Sequence, residues 1–179
     1  RRRSSASLSG SAFRRARGLE RPYWLYLGNR HGRYKNFAGL LDAYARTKSR
    51  REIQLVAAGT TRAEAPWVME AISRLNLGDD LKVIGEVAEE HLPLLYGGAV
   101  ALVVPSKCEG FGLPLLEAMA CGTLAIASNS SSLPEVGGDV PFYFNPDSLD
   151  ELTARLDEVA ALSRRAATFA ADESGRRRE

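Results

Sequence analysis

Two short stretches of this chain carry side chains whose types and spacing could do chemistry. The first, GNRHGRYKN (28–36), delivers Arg30, Arg33 and Lys35 in a single loop. Arginine offers a planar fork of N–H donors and lysine a mobile point charge. Together they suit a diphosphate, each charge-assisted bond being worth about 1.5–3 kcal/mol. The competing reading is a solvated basic turn. The second stretch, KCEGFGLPLLEAMACG (107–122), sets Glu109 and Glu117 on either side of Gly110, Phe111, Gly112, Leu113 and Pro114. Glycines let a backbone approach a ligand closely, and proline suits a helix's first turn. The N–H groups of the new helix then point at anionic or hydroxyl oxygens. Glu109 lies before that helix and Glu117 more than a turn into it, so the two cannot act as a close acid/base pair. Either they grip different hydroxyls of one elongated ligand, or Glu109 is a helix-dipole partner and Glu117 a solvated position. Leu115, Leu116 and Met119 are expected in the core.

Both stretches follow short apolar runs that read as strands: WLYL (24–27), IQLVAA (53–58), LKVI (81–84), AVALVV (99–104), LAIA (124–127) and FYF (142–144). Several are apolar throughout, as strands covered on both faces must be. Between them, Phe37, Leu40, Leu41, Tyr44 and Ala45 share one helical face, as do Val68, Ala71, Ile72 and Leu75. Leu149, Leu152, Leu156 and Val159 mark a last helix, with Ser148 and Glu151 spaced as a capping box. Alternating strands and helices predict a Rossmann-like α/β fold, a three-layer parallel sheet with helices on both faces. Ligands of such sheets bind beyond the carboxyl ends of the strands, where the strand order reverses. Arg30, Lys35, Glu109 and Glu117 would then face one ligand, provided the two loops share that edge. Arg33 is a reserve candidate, because Tyr34 could turn it outward.

With 45 % hydrophobic and 26 % charged residues, the 179-residue chain has the composition of a globular protein with one substantial core. Its net charge of +2 is uneven, since residues 1–21 hold seven arginines against Glu20 and the remainder is slightly acidic. An acidic body argues against a nucleic-acid surface. The expected organisation is a basic linker or tail over 1–21, one Rossmann-like domain over 22–163 and a polar tail over 164–179. No initiator methionine stands at position 1, which suggests a piece of something longer. Without a secretion signal or an apolar span, a cytoplasmic location is the default. Cys108 and Cys121, with His31 and His91, have neither disulfide-scaffold nor zinc-site spacing, so the cysteines are expected reduced and in packing roles and no metal site is expected.

The runs PSKCEGFGLPLLEAMACGTLAIAS, SSSLPEVGGD, FYFNPDSLDEL and YWLYLGNRHGRYKNFAGLLDAYA resemble the carboxyl-terminal half of the GT-B-fold glycosyltransferases of family 4, retaining enzymes that use nucleotide-sugar donors. The resemblance covers about residues 22 to 162. It implies that Glu109 binds the transferred sugar and Glu117 the ribose of the nucleotide. The backbone at Gly110, Phe111, Gly112 and Leu113 would meet the sugar and diphosphate, Arg30 and Lys35 would hold the phosphates, and the base would lie against Val83, Ile84 and Gly85. It further implies a UDP-, GDP- or ADP-sugar as donor, chemistry without a metal, and an amino-terminal partner domain that holds the acceptor, a sugar or a lipid-linked glycan. A site peripheral to the inner membrane face is compatible with that acceptor. The alternative is a nucleotide-binding module without catalysis. A dinucleotide oxidoreductase fits less well, because the first strand leads into a basic loop with no G-x-G-x-x-G and the second ends in Ala57-Ala58-Gly59 with no acidic residue.

Overall fold

The structure, a computed structural model, describes residues 9–59 and 65–176, with side chains through residue 168. Six strands, β1 (Tyr23–Gly28), β2 (Gln54–Gly59), β3 (Leu81–Gly85), β4 (Ala101–Val104), β5 (Leu124–Ser128) and β6 (Phe142–Phe144), form one sheet in the order β3-β2-β1-β4-β5-β6. Every pairing is parallel. The helices are α1 (Gly10–Ala16), α2 (Phe37–Arg46), α3 (Pro66–Arg74), α4 (Leu92–Gly97), α5 (Leu113–Ala120), α6 (Leu133–Gly137) and α7 (Leu149–Arg176).

The unbroken apolar strands are explained by two cores. Trp24 and Tyr26 of β1, with Leu55, Val103, Ile126 and Phe144, pack under α2, α3 and α7. Tyr23 and Leu25, with Val56, Leu102, Val104 and Ala127, pack under α1, α4, α5 and α6. Successive side chains point to opposite faces of a strand, so covering both faces demands apolar residues at every position. The strand order reverses between β1 and β4, which puts a crevice at their carboxyl ends. The loops carrying Lys35 and Glu109 flank it.

Several sequence expectations need revision. Within the stretch read as a basic linker, α1 is a packed helix: Phe13 and Leu19 are buried in the second core, and Ser9 accepts a hydrogen bond from the N–H of Ala12 at the helix start. Two apolar residues among many arginines are a faint periodic signal, yet enough to seat the helix against α4. Residues 1–8 of that stretch lie outside the described residues, as do 177–179 of the expected polar tail. The rest of that tail continues α7 as helix to Arg176, although among its described side chains, which run to residue 168, none beyond Ala160 is buried. Ser148 does accept from the N–H of Glu151 at 3.2 Å, but the Glu151 carboxylate accepts the N–H of Asn145 at 2.8 Å and not that of Ser148. Leu116 is 37 % exposed and Cys108 is exposed, so neither is the packing residue expected.

Candidate functional site

The loop after β1 closes on itself before α2 begins. The Asn29 side chain accepts the N–H of His31 at 2.8 Å, the Tyr26 hydroxyl donates to the Asn29 carbonyl at 3.0 Å, and a 3-10 turn over Arg33–Lys35 leads into α2. This turn carries Lys35 towards the loop after β4. There its ammonium group lies 2.7 Å from both carboxylate oxygens of Glu109, a pairing between residues 74 positions apart. The N–H of Lys107 donates to the Tyr34 carbonyl at 2.7 Å and ties the two loops together through the backbone. The cation proposed for phosphate and the carboxylate proposed for sugar therefore meet at the switch point. Arg30, by contrast, is buried, 1 % exposed. Arg33 is exposed and lines a cleft of about 520 Å³ with Tyr34, Phe37, Trp67 and Lys107, beside the site and not in it.

Beyond Glu109 the chain passes through Gly110, Phe111 and Gly112 into α5. Gly112 caps the helix at φ 87°, a left-handed conformation, and a Cβ there would come within 2.9 Å of Leu133. At Gly110 a Cβ would meet nothing within 4 Å, so packing within the protein does not require glycine there. Phe111 and Leu113 are both more than half exposed. Glu117 sits one face away, where it accepts a 2.7 Å hydrogen bond from the Tyr96 hydroxyl of α4. Burial, and then the bond to this carboxylate, push the Tyr96 pKa well up, which keeps Tyr96 a neutral donor. Glu117 and Tyr96 line an open cleft of about 450 Å³ with Glu89, Leu92 and Pro93. Val83, Ile84 and Gly85 end the edge strand β3, where the pairing with β2 slips between Ala57 and Ala58. Gly85 adopts φ 66° and Val83 is exposed there.

Sequence reasoning missed the residues that hold these groups in place. Ser106 donates to Glu109 Oε1 at 2.6 Å. Ser131 and Ser132 donate to the Glu109 carbonyl at 2.7 and 3.2 Å, and Ser130 to that of Lys107 at 2.8 Å. The serine cluster after β5 was visible in SSSLPE, but nothing local tied it to a loop twenty residues earlier.

A doubly wound parallel sheet, with a basic loop and a glutamate loop facing each other across its switch point, defines a Rossmann-like α/β domain. The chain belongs to the glycosyl transferases group 1 family, whose model matches residues 12–172. It is 38 % identical over 136 residues to O-antigen chain mannosyltransferase B of Escherichia coli, covering 75 % of this chain and 35 % of that protein. It is 34 % identical over 128 residues to the MMP alpha-(1->4)-mannosyltransferase of Mycolicibacterium hassiacum, covering 70 % and 31 %. The chain thus spans about a third of the length of these relatives. Among solved structures, Anabaena HepE in complex with UDP and glucose superposes with a TM-score of 0.76 at 25 % identity, over 93 % of this chain and 46 % of that one. The C-terminal domain of the Francisella tularensis group 1 glycosyl transferase LpcC superposes with a TM-score of 0.69 at 25 % identity, over 82 % and 80 %. These neighbours confirm the α/β sheet as that of GT-B glycosyltransferases. Among the described residues, no helix is long and apolar enough to cross a membrane.

Proposed function

We propose that this chain is the donor-binding half of a retaining glycosyltransferase and takes a nucleoside diphosphate sugar. The observation that carries the reading is Lys35 bonded to Glu109 across the switch point. One pair offers a cation for the diphosphate and, beside it, a carboxylate for a hydroxyl of the sugar. Arg30 supports the phosphates, and the first N–H groups of α5, with Gly110, Phe111, Gly112 and Leu113, receive the sugar and diphosphate oxygens. Glu117 takes the ribose in the cleft it shares with Tyr96, and the base lies along Val83, Ile84 and Gly85. The UDP-bound Anabaena neighbour favours a nucleotide-sugar donor; UDP, GDP and ADP sugars are all candidates. Lys35, Arg30 and the helix start stabilise charge as it grows on the departing diphosphate, so the chemistry proceeds without a metal.

Transfer also needs an acceptor held at the reacting carbon and water kept out, which falls to a partner domain amino-terminal to this one. A cytoplasmic protein working on a sugar or lipid-linked acceptor at the inner membrane face fits this scheme. Titration with UDP, GDP and ADP and their sugars, beside a transfer assay with and without the upstream half of the parent protein, tests the proposal. Nucleotide binding without transfer is expected of the chain alone. Absence of binding to every nucleotide would refute the donor site, and robust transfer by the chain alone would refute the division of labour.

A further inference from the structure

We propose that Ser106 is a positioning residue that keeps the Glu109 carboxylate turned to the donor sugar when Lys35 swings to the diphosphate. The inference rests on the donor-site reading above and adds a residue to it.

Both oxygens of Glu109 are engaged by the Lys35 ammonium at 2.7 Å, and Oε1 also accepts from the Ser106 hydroxyl at 2.6 Å. A diphosphate carries more charge than one carboxylate and competes for the ammonium group. Lys35 has a flexible four-carbon stem and is free to follow it. Glu109 would then lose the partner that holds both its oxygens, and a glutamate released in this way populates several rotamers. Ser106 does not travel with Lys35. It is 2 % exposed just beyond the end of β4, and its own carbonyl accepts the Ser128 hydroxyl from the end of β5 at 2.5 Å. Two strand ends of the sheet therefore hold the backbone that carries the hydroxyl. With Ser131 and Ser132 fastening the Glu109 carbonyl, the residue is pinned at its backbone and at one carboxylate oxygen. That leaves Oε2, which among the described residues bonds only to Lys35, to accept a sugar hydroxyl. A site held in advance loses less freedom when its ligand arrives.

Two experiments test this. Crystal structures of ligand-free Lys35→Ala and of the Lys35→Ala/Ser106→Ala double variant ask directly what orients Glu109. The carboxylate should stay on Ser106 in the first and spread over several rotamers in the second. An unchanged Glu109 in the double variant, or a displaced one in Lys35→Ala, overturns the proposal. Calorimetry with UDP-, GDP- and ADP-hexoses and the free diphosphates supplies the functional readout. Ser106→Ala should weaken the intact nucleotide sugar about tenfold, a difference of ~1.4 kcal/mol. The free diphosphate should change by less than about twofold, and Ser106→Thr, which keeps the hydroxyl, should restore most of the loss. Equal losses for sugar and diphosphate in Ser106→Ala would also overturn the proposal. If the unmodified chain bound no nucleotide, the donor reading would fall, while the crystallographic comparison would still decide whether Ser106 orients Glu109.

Discussion

The two ends of the sheet each carry a carboxylate set against basic residues, and they use it differently. At the amino-terminal ends of the strands, Asp80 receives Arg21 at 3.2 Å, Arg50 at 2.9 Å and Arg51 at 3.2 Å. The arginines are themselves tied down: Arg21 also donates to the carbonyls of Arg50 and Arg51, and Arg50 to those of Leu75 and Asn76. The Tyr44 hydroxyl reaches the carbonyls of Ile53 and Asp80 from beneath. At the carboxyl-terminal ends, Glu109 holds one lysine and one serine, beside exposed Phe111 and Leu113 and an open Gly110. The Asp80 network of several hydrogen bonds and ion pairs locks the starts of three strands. The opposite edge instead carries an ion pair built on a flexible lysine, the kind that the proposed diphosphate would displace.

The largest expected effect lies at the locked end. Asp80→Ala leaves the part-buried Arg21 and Arg50 guanidinium groups without their counter-charge and should cost about 3 kcal/mol of unfolding free energy, measured by urea denaturation. Nucleotide affinity below the melting range should be nearly unaffected, and a comparable loss of affinity would break the contrast between the two edges. The pH dependence of stability sharpens it. Burial alone would raise the Asp80 pKa, but the hydrogen bonds of Arg50 and Arg21 and the charges of Arg50 and Arg51 outweigh it and hold the carboxyl below its ordinary value. A carboxyl with a depressed folded-state pKa stabilises the fold above its unfolded value, about 3.9, and this contribution disappears as the pH falls through the folded value. Melting curves taken from pH 6 downward should lose this component in Asp80→Asn.

At the exchangeable end, Lys35→Ala should weaken nucleoside diphosphate binding about ten- to hundredfold by calorimetry, as expected for a charge-assisted bond of about 1.5–3 kcal/mol. The bare nucleoside should be hardly affected. Arg30→Ala should do the same with an added loss of stability, because it is buried where Lys35 is not. Equal losses for nucleoside and diphosphate would contradict a phosphate role for either cation. Glu109→Ala should cost the intact nucleotide sugar about tenfold while sparing or tightening the free diphosphate, since it releases Lys35; a single hydrogen bond to a charged group supports that size. Glu117→Ala should weaken both ligands through the ribose. The smallest effect is Arg51→Ala, expected within about 1 kcal/mol in urea melts because its side chain is 80 % exposed and its pair with Asp80 is screened by water.

Much of this molecule was legible along the chain. The six strands fell where the apolar runs stood, because a parallel sheet covered on both faces leaves no polar alternation to confuse the reading. The candidate groups were also local: arginines and a lysine in one loop, two glutamates around glycines and a proline in another, each directly after a strand. Their residue types and their place at strand ends come from neighbours within a few positions, which is the range over which sequence acts by itself. Which of them meet was not local. Lys35 reaches Glu109 only because β4 inserts beside β1, a consequence of strand order. The same order brings Ser106 and Ser128 together and gathers Arg21, Arg50 and Asp80 at the opposite edge. It also buries Phe13 of an arginine-rich segment under α4 while leaving Leu116 in the open. Burial and pairing between residues twenty to seventy positions apart depend on how the strands and helices stack, so only the tertiary structure decided them.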